Sequence, residues 1–210
     1  LTSRVAWLVR DSATPIAPER CVVVTFTNRA ANEMRARLET MIGADRTRRL
    51  VLGTFHAVCV RFLRRWGTRL GLDPRFTIAD TDDARRLLRD VDRDAPVDAT
   101  LAAISRAKAH GWTPDELRAS SQHAPGSPAH TEHLALCRTY AAYQQQLRTS
   151  HALDFDDLLL LGVRLFREHP ELTTHIDHVL VDEFQDTNAV QYELLRRLSR
   201  HVSVVGDPDQ

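Results

Sequence analysis

The chain has 210 residues, of which 43% are hydrophobic and 27% charged, and its formal net charge at pH 7 is zero. This composition is that of an ordinary globular protein and excludes a disordered chain, a collagen-like fibre and a small disulfide scaffold. No apolar run approaches the ~20 residues that a membrane-spanning helix needs, and the first residues lack the pattern of a signal peptide. We therefore expect a soluble, cytoplasmic protein that does not act at a membrane.

Charge is distributed unevenly along the chain. Residues 20–76 contain twelve arginines and four carboxylates, whereas residues 77–210 contain fourteen basic and twenty-two acidic side chains. This polarity indicates either a surface for a polyanion such as nucleic acid or two oppositely charged lobes that attract each other. The charge pattern alone leaves both interpretations open.

The three cysteines, Cys21, Cys59 and Cys137, are far apart and lie in apolar surroundings. We interpret them as core residues in a reducing compartment rather than as a disulfide framework. The spacing of His130, His133 and Cys137 weakly resembles that of metal ligands, but histidine-rich segments of this kind usually bind nothing, and we predict no metal there.

Residues 1–80 predict alternating strands and helices after a helical start. CVVVTF (21–26) and LVLGTF (50–55) are apolar, β-rich runs typical of strands buried on both faces. A helical pattern follows each run, and Asn28 is a candidate cap of the first helix, which Gly43 ends. Two successive strand–helix units indicate a parallel α/β sheet.

The middle of the chain, 81–150, is predicted to be helical throughout. Its helix starts are Asp80 or Thr81, Thr113 and about Thr131, the last after the turn sequence HAPGSPAH (123–130). The strand pattern then returns, so we interpret 81–150 as a helical insertion in an α/β domain made of 1–80 and 151–210.

Residues 151–210 predict two helices and two strands. The predicted helices are DFDDLLLLGVRLF (154–166), with Asp154 as its cap, and NAVQYELLRRLS (188–199), and the predicted buried strands are HVLVDE (178–183) and VSVVGD (202–207). Both strands end in carboxylates.

The strongest local pattern is VLVDEFQDTN (179–188), which brings Asp182 and Glu183 to the carboxyl end of a strand, where parallel α/β sheets build their sites. An Asp in this place can hold Mg²⁺ that bridges nucleotide phosphates, and the adjacent Glu can deprotonate an attacking water. In VVGDPDQ (204–210), a neighbouring strand would bring Gln210 to the same phosphates. The alternatives are that Asp182 and Glu183 only cap the next helix and that VVGDPDQ is an ordinary turn.

Two strands of the basic region end in Thr-Phe followed by a polar residue. Phe26 and Phe55 could stack on bases if they are exposed, whereas each would pack in the core in the alternative interpretation. The polar residues that could reach phosphates or sugars are Thr25, Thr27, Asn28, Thr54 and His56. Because the arginine excess coincides with both segments, we favour nucleic acid as the ligand.

Five segments, in this order, resemble motifs of the UvrD/PcrA/Rep-type DNA helicases of superfamily 1. TFTNRAANEMRARL (25–38) is similar to motif Ia, GTFHAVCVRFLRR (53–65) to motif Ib, LDFDDLLLLGVRLF (153–166) to the helix after the 1B insertion, VLVDEFQDTN (179–188) to motif II, and VVGDPDQ (204–210) to the start of motif III. The resemblance covers essentially the whole chain.

This resemblance implies a RecA-like P-loop NTPase sheet, domain 1A (1–80 and 151–210), interrupted by the helical subdomain 1B (81–150). It implies ATP and Mg²⁺ as cofactors, with Asp182 serving the metal, Glu183 acting as the hydrolytic base and Gln210 contacting the γ-phosphate.

For DNA, the resemblance places Phe26 and Phe155 against single-stranded bases, with Thr54 and His56 nearby. The implied activity is ATP-driven 3′-to-5′ movement along single-stranded DNA and unwinding at single-strand/duplex junctions. It implies a bacterial, nucleoid-associated protein in DNA repair or replication, with partner proteins that the sequence does not identify.

The chain departs from the family pattern in lacking the Gly-Lys-Ser/Thr of a phosphate-binding loop, since its one lysine, Lys108, precedes Ala109. The family pattern would place that loop just before Leu1, so we expect this chain to be an inactive piece of a longer helicase. Pro208 also departs from close relatives. The alternatives are the motor of a RecB/AddA-like helicase–nuclease and a non-catalytic RecA-like DNA-binding module, whereas a small-molecule NTPase is disfavoured by the Thr-Phe strand ends.

Overall fold

A computed structural model describes residues 1–199 and 201–207 of the chain, in which parallel strands form two sheets. The strands are β1 (Cys21–Thr25), β2 (Val51–Thr54), β3 (Thr77–Ile78), β4 (Ala152–Leu153), β5 (His178–Val181) and β6 (Val202–Val204). The main sheet has the order β2-β1-β5-β6, and β3 pairs with β4 apart from it. All pairs are parallel. The predicted α/β fold with a parallel sheet is therefore confirmed.

Helices surround the main sheet and form the middle of the chain. They are α1 (Thr2–Ala6), α2 (Asn28–Ile42), α3 (Ala44–Arg49), α4 (Phe55–Trp66), α5 (Thr81–Val91), α6 (Val97–Ala109), α7 (Pro114–Ala119), α8 (Pro128–Thr149), α9 (Phe155–Glu168) and α10 (Ala189–Leu198). A π-helical turn, Trp7–Asp11, continues α1, and 3₁₀ turns include Pro18–Arg20, Gly67–Leu70, Pro170–His175 and Phe184–Asp186.

Strands β1, β2 and β5 of the main sheet are buried on both faces, and alternate residues of the central strands point to opposite layers. Val22 and Val24 of β1 pack with α4, α9 and α10. Cys21 and Val23 pack with α1 and α2 on the other face. A helix–sheet–helix sandwich results, and it fixes the carboxyl ends of the strands along one edge.

The helices α5 to α8 have a hydrophobic core of their own, which includes Leu88, Ile104, Tyr140 and Tyr143. The chain enters and leaves this region side by side, because β3 pairs with β4 directly outside it. The amide of Thr77 donates to the carbonyl of His151, which closes the base of the helical region.

Three details differ from the sequence-based expectations. The cap of α2 is Thr27 rather than Asn28, since the Thr27 hydroxyl accepts from the amide of Ala30. Helix α8 begins at Pro128 because Ser127 caps it inside the predicted turn. Strand β6, at an edge of the main sheet, is exposed rather than buried, with Val204 48% accessible, because among the described residues the core clusters on the two faces of the sheet do not include it.

The cysteines are buried and free, as predicted, and burial raises the pKa of Cys21 and Cys59 to about 12. These thiols are therefore core residues rather than reactive groups. Within the described ranges, no helix has the length and apolar character needed to cross a membrane.

Candidate nucleotide and nucleic-acid site

The four parallel strands of the main sheet end along one edge, and their register brings specific residues side by side. Thr25 at the end of β1 pairs with Thr54 of β2, and Val181 of β5 pairs with Val204 of β6. We call the loops after β5 and β6 the acidic half of this edge. The aromatic half comprises the loops after β1 and β2 together with the first turn of α9.

In the acidic half, Asp182 and Glu183 follow β5 directly. The amide of Asp182 donates to the carbonyl of Val24, which extends the pairing of β5 with β1 by one step and fixes the carboxylate at the strand end. Glu183 is exposed and adopts a left-handed backbone conformation with φ of 51°. A non-glycine residue in this region is uncommon and is found preferentially at functional sites.

Gln185 links the two loops of the acidic half. Its side-chain amide donates to Oε2 of Glu183 at 2.7 Å, and its Oε1 accepts from the amide of Asp207 at 3.1 Å. The fit requires glycine at position 206, since a Cβ there would lie 2.6 Å from Oε1 of Gln185. Gln185 lies within VLVDEFQDTN (179–188), but the sequence pattern alone did not indicate this role.

The donor set of the acidic half suits a hard cation shared with a phosphate ligand. Mg²⁺ prefers oxygen ligands and usually binds through one or two carboxylates together with phosphates. Asp182 and Glu183 offer such carboxylates, and among the described residues no cluster of three or more His, Cys, Asp or Glu side chains forms a closed metal cage. Gln210, the other predicted member of this site, lies outside the described residues.

In the aromatic half, some of the predicted contact residues are buried and others are accessible. Thr25 is fully buried, and its hydroxyl donates to the carbonyl of Thr27 inside the turn, so its side chain has no access to a ligand. Phe55 is also buried and packs edge-on against Phe26 at 5.3 Å between ring centroids. Phe26 stays half-buried, whereas Asn28 is exposed at the start of α2.

A second aromatic contact joins the first turn of α4, directly after β2, to α9. Thr54 caps α4 through its hydroxyl, and the next polar residue, His56, meets Phe155 at 5.8 Å between ring centroids with the rings perpendicular. Phe155 is 49% accessible, although it lies on the first turn of a helix that is otherwise packed into the core. Burial lowers the pKa of His56, so its ring is uncharged at neutral pH. His56 therefore presents a neutral ring rather than a cation.

A cavity of about 270 Å³ borders Phe155 on its other side, and its lining includes Ser105, Tyr143 and Asp156. A larger one, of about 890 Å³, lies between α7, α8, α9 and α10. In the part of the chain that the structure describes, none of the sequence-predicted site residues lines the larger cavity. Size alone therefore does not identify the site, and the smaller cavity is the one next to it.

A buried ionic cluster lies behind Phe155, and the sequence analysis did not find it. Lys108 of α6 has no accessible side-chain surface, and its Nζ donates to Oδ2 of Asp154 at 2.6 Å and to Oδ1 of Asp157 at 2.8 Å. Its third bond goes to Oε1 of Gln144 at 3.2 Å. The only available signal was one lysine in a chain that otherwise uses arginine.

The charges in this cluster alter the pKa values of Lys108 and Asp157. Burial raises the pKa of Asp157 to about 6, although the Lys108 ammonium opposes that shift. Burial works against the ammonium form of Lys108, but the two carboxylates outweigh it and raise the pKa of Lys108. The lysine is therefore charged at neutral pH.

The parallel sheet and this edge define a RecA-like α/β fold, and comparison with known proteins agrees. The family described as UvrD/REP helicase N-terminal domain matches residues 1–210. The chain therefore belongs to the UvrD/REP helicase family and corresponds to its N-terminal domain.

Among curated relatives, the chain is similar to ATP-dependent DNA helicase PcrA of Staphylococcus epidermidis, with 35% identity over 100% of the chain and 29% of the relative. It is 34% identical to ATP-dependent DNA helicase PcrA of Staphylococcus aureus, with the same coverage of each chain. The chain thus spans less than a third of the length of these relatives.

Proposed function

We propose that the chain is the N-terminal motor domain of an ATP-dependent DNA helicase that moves 3′ to 5′ along single-stranded DNA and unwinds duplexes at junctions. Its role would be in bacterial DNA repair or replication, at the nucleoid in the cytoplasm. The observation that carries this proposal is that one sheet edge holds both an acidic and an aromatic half. The two halves are adjacent, because β5, which leads into the acidic half, pairs directly with β1, which leads into the aromatic half. Family membership supports ATP and DNA as the two ligands.

We assign the acidic half to MgATP. Asp182 would hold Mg²⁺, usually through water, and the metal would neutralise charge on the β- and γ-phosphates. Glu183 would accept the proton of the attacking water, which requires an exposed carboxylate next to the metal site. Gln185 would orient Glu183 through its amide. Gln210 is proposed, by its place in the motif, to contact the γ-phosphate.

We assign the aromatic half to single-stranded DNA. Phe155 is the most accessible ring of this half and would stack on a base, while Phe26 would offer its exposed side only. Asn28, Thr54 and His56 would contact phosphate or sugar as neutral groups. Thr25 is left out of the proposed contacts because its hydroxyl is buried.

We also propose that 81–150 form subdomain 1B and that 1–80 with 151–210 form domain 1A. The separate hydrophobic core of α5 to α8 and the β3–β4 pair at its base support this division. The motor of a helicase–nuclease is the less favoured alternative, since the relatives described above are named as PcrA helicases.

The test is Glu183→Gln in the full-length protein that carries this chain. We expect ATP turnover with single-stranded DNA to fall on the order of a hundredfold or more, while DNA affinity is retained, because only the base is lost. Glu193→Gln is the matched control, since Glu193 pairs with Arg197 within α10 and lies outside the acidic half. Unchanged turnover in Glu183→Gln would remove this residue from the role, and a wild-type protein whose ATP turnover ignores DNA would exclude the helicase.

A strand-displacement assay separates the motor from a non-catalytic module. Duplexes with a 3′ or a 5′ single-stranded tail are incubated with the full-length protein and ATP. We expect unwinding of the 3′-tailed duplex only. DNA binding without any displacement would favour the module, and degradation of the strands would favour a helicase–nuclease.

A further inference from the structure

We infer that Lys108 is a positioning residue for single-stranded DNA, because it fixes the first turn of α9 and with it Phe155. This inference rests on the proposed DNA contact of Phe155. It concerns how the helical region, which contributes Lys108, controls a ring on the α/β body.

The first turn of α9 is held by a reciprocal cap. Oδ1 of Asp154 accepts from the amide of Asp157 at 2.8 Å, and Oδ2 of Asp157 accepts from the amide of Asp154 at 3.4 Å. Each carboxylate thus uses one oxygen for the cap. The remaining oxygen of each accepts a hydrogen bond from Lys108. The cap and the ionic cluster are therefore one structure.

Two side chains of α8 complete the cluster. The hydroxyl of Tyr143 donates to Oδ2 of Asp154 at 3.1 Å, and the amide of Gln144 donates to Oδ1 of Asp157 at 2.9 Å. The Lys108 ammonium also lies 5.5 Å from the centroid of the Tyr143 ring. Because Lys108 uses all three of its donors, the geometry of both carboxylates is specified from α6 and α8 together.

Phe155 is the residue directly after the capping Asp154, so its backbone belongs to this fixed turn. Its ring faces outward, meets His56 and is otherwise half accessible. The ionic cluster restrains the turn from behind, through the carboxylates of Asp154 and Asp157. A movement of α6 relative to the α/β body would therefore shift the ring on which a base stacks.

A purely structural role would give a different result from a positioning role. Loss of Lys108 leaves two buried carboxylates without their cation, which destabilises the junction in either case. If Lys108 positions the ring, however, the effect of its loss on DNA affinity depends on the presence of Phe155. A double-mutant cycle between the two residues measures this dependence.

The experiment measures the affinity of the full-length protein for oligo-dT in the variants Phe155→Ala, Lys108→Met and the double variant, well below their melting temperatures. We expect Phe155→Ala to weaken binding about 5- to 150-fold, the range for loss of one base–aromatic stack. Lys108→Met should weaken it in the same direction. In the Phe155→Ala background, Lys108→Met should have no further effect. Thr139→Val is the control, because it removes a hydrogen bond to Asp92 inside the helical region without touching α9.

Additive effects in the cycle, or wild-type affinity in Lys108→Met, would overturn the inference while leaving the proposed function intact. Wild-type affinity in Phe155→Ala would instead remove the proposed DNA contact and the inference together. If Lys108→Met does not fold, Tyr143→Phe takes its place, since it removes only the hydroxyl bonded to Asp154. This milder change should lower the affinity less, and again only when Phe155 is present.

Discussion

The acidic and aromatic halves of the sheet edge are built in different ways. The acidic half is local, since its carboxylates and Gln185 come from the four residues after β5 and from the short loop after β6. The aromatic half gathers residues from three separate stretches, around Phe26, His56 and Phe155, and a fourth stretch holds the last of these in place. The comparison indicates that the proposed chemistry at the nucleotide depends on a turn, whereas the proposed DNA contact depends on how separate stretches of the chain pack.

The largest expected effect that separates the halves is that of Asp182→Asn. Loss of the charge that we propose serves Mg²⁺ should lower DNA-stimulated ATP turnover on the order of a hundredfold or more. Affinity for single-stranded DNA without nucleotide should stay within about twofold, because Asp182 lies outside the aromatic half. Steady-state ATPase assays and fluorescence anisotropy measure the two quantities. An equal loss of DNA affinity would mean that the halves are one site.

Phe155→Leu tests the aromatic half with a smaller change. Leucine keeps an apolar side chain but cannot stack, so we expect single-stranded DNA affinity to fall by about fivefold or more. ATP turnover at saturating DNA should remain near wild type. Phe155→Trp is the paired control and should retain affinity. If the Phe155→Leu and Phe155→Trp variants bind single-stranded DNA with equal affinity, burial of apolar surface rather than stacking accounts for the proposed contact.

Two neighbouring residues have different expected roles: Thr27 caps α2, whereas Asn28 is proposed to contact DNA. Thr27→Ala should lower the free energy of unfolding by about 1 kcal/mol, since it removes the cap of α2. Asn28→Ala should change stability by less than about 0.5 kcal/mol, because its side chain is exposed. It should instead weaken DNA binding. Thermal unfolding and DNA titration of both variants check the division, and the reverse assignment would restore Asn28 as the cap.

The smallest expected effect is a pH dependence at His56. Burial lowers the pKa of His56 in the folded protein, and Asp156 only partly opposes that shift. Below about pH 6.5 the unfolded chain therefore binds a proton before the folded one, and stability is lost as the pH falls. The difference in melting temperature between the wild type and His56→Gln should be constant between pH 7 and 8. At pH 5.5 the wild type should lose stability relative to the variant. A wild-type advantage that grows on acidification would show a charged His56 instead.

The local patterns of the sequence predicted most of what the acidic half contains. Three apolar residues before Asp182 and Glu183 indicated a buried strand ending in carboxylates, and β5 confirms that strand. The parallel sheet and the caps at Asp154 and Thr113 were also predictable, since they depend on residues within one turn or one strand. The left-handed backbone of Glu183 was not, because no glycine marks it.

By itself, the sequence determined the strands β1, β2, β5 and β6, most of the helices, the residues that follow each of these strands, and the family to which the motifs belong; it did not indicate β3 or β4. Only the tertiary structure decided which of those residues face solvent: Thr25 and Phe55 are buried, while Phe155 and β6 are exposed. It alone joined Lys108 to Asp154 across 46 positions of the chain. The physical reason is that periodicity and capping act over a few residues, whereas burial and ion pairing depend on which distant surfaces the fold brings together.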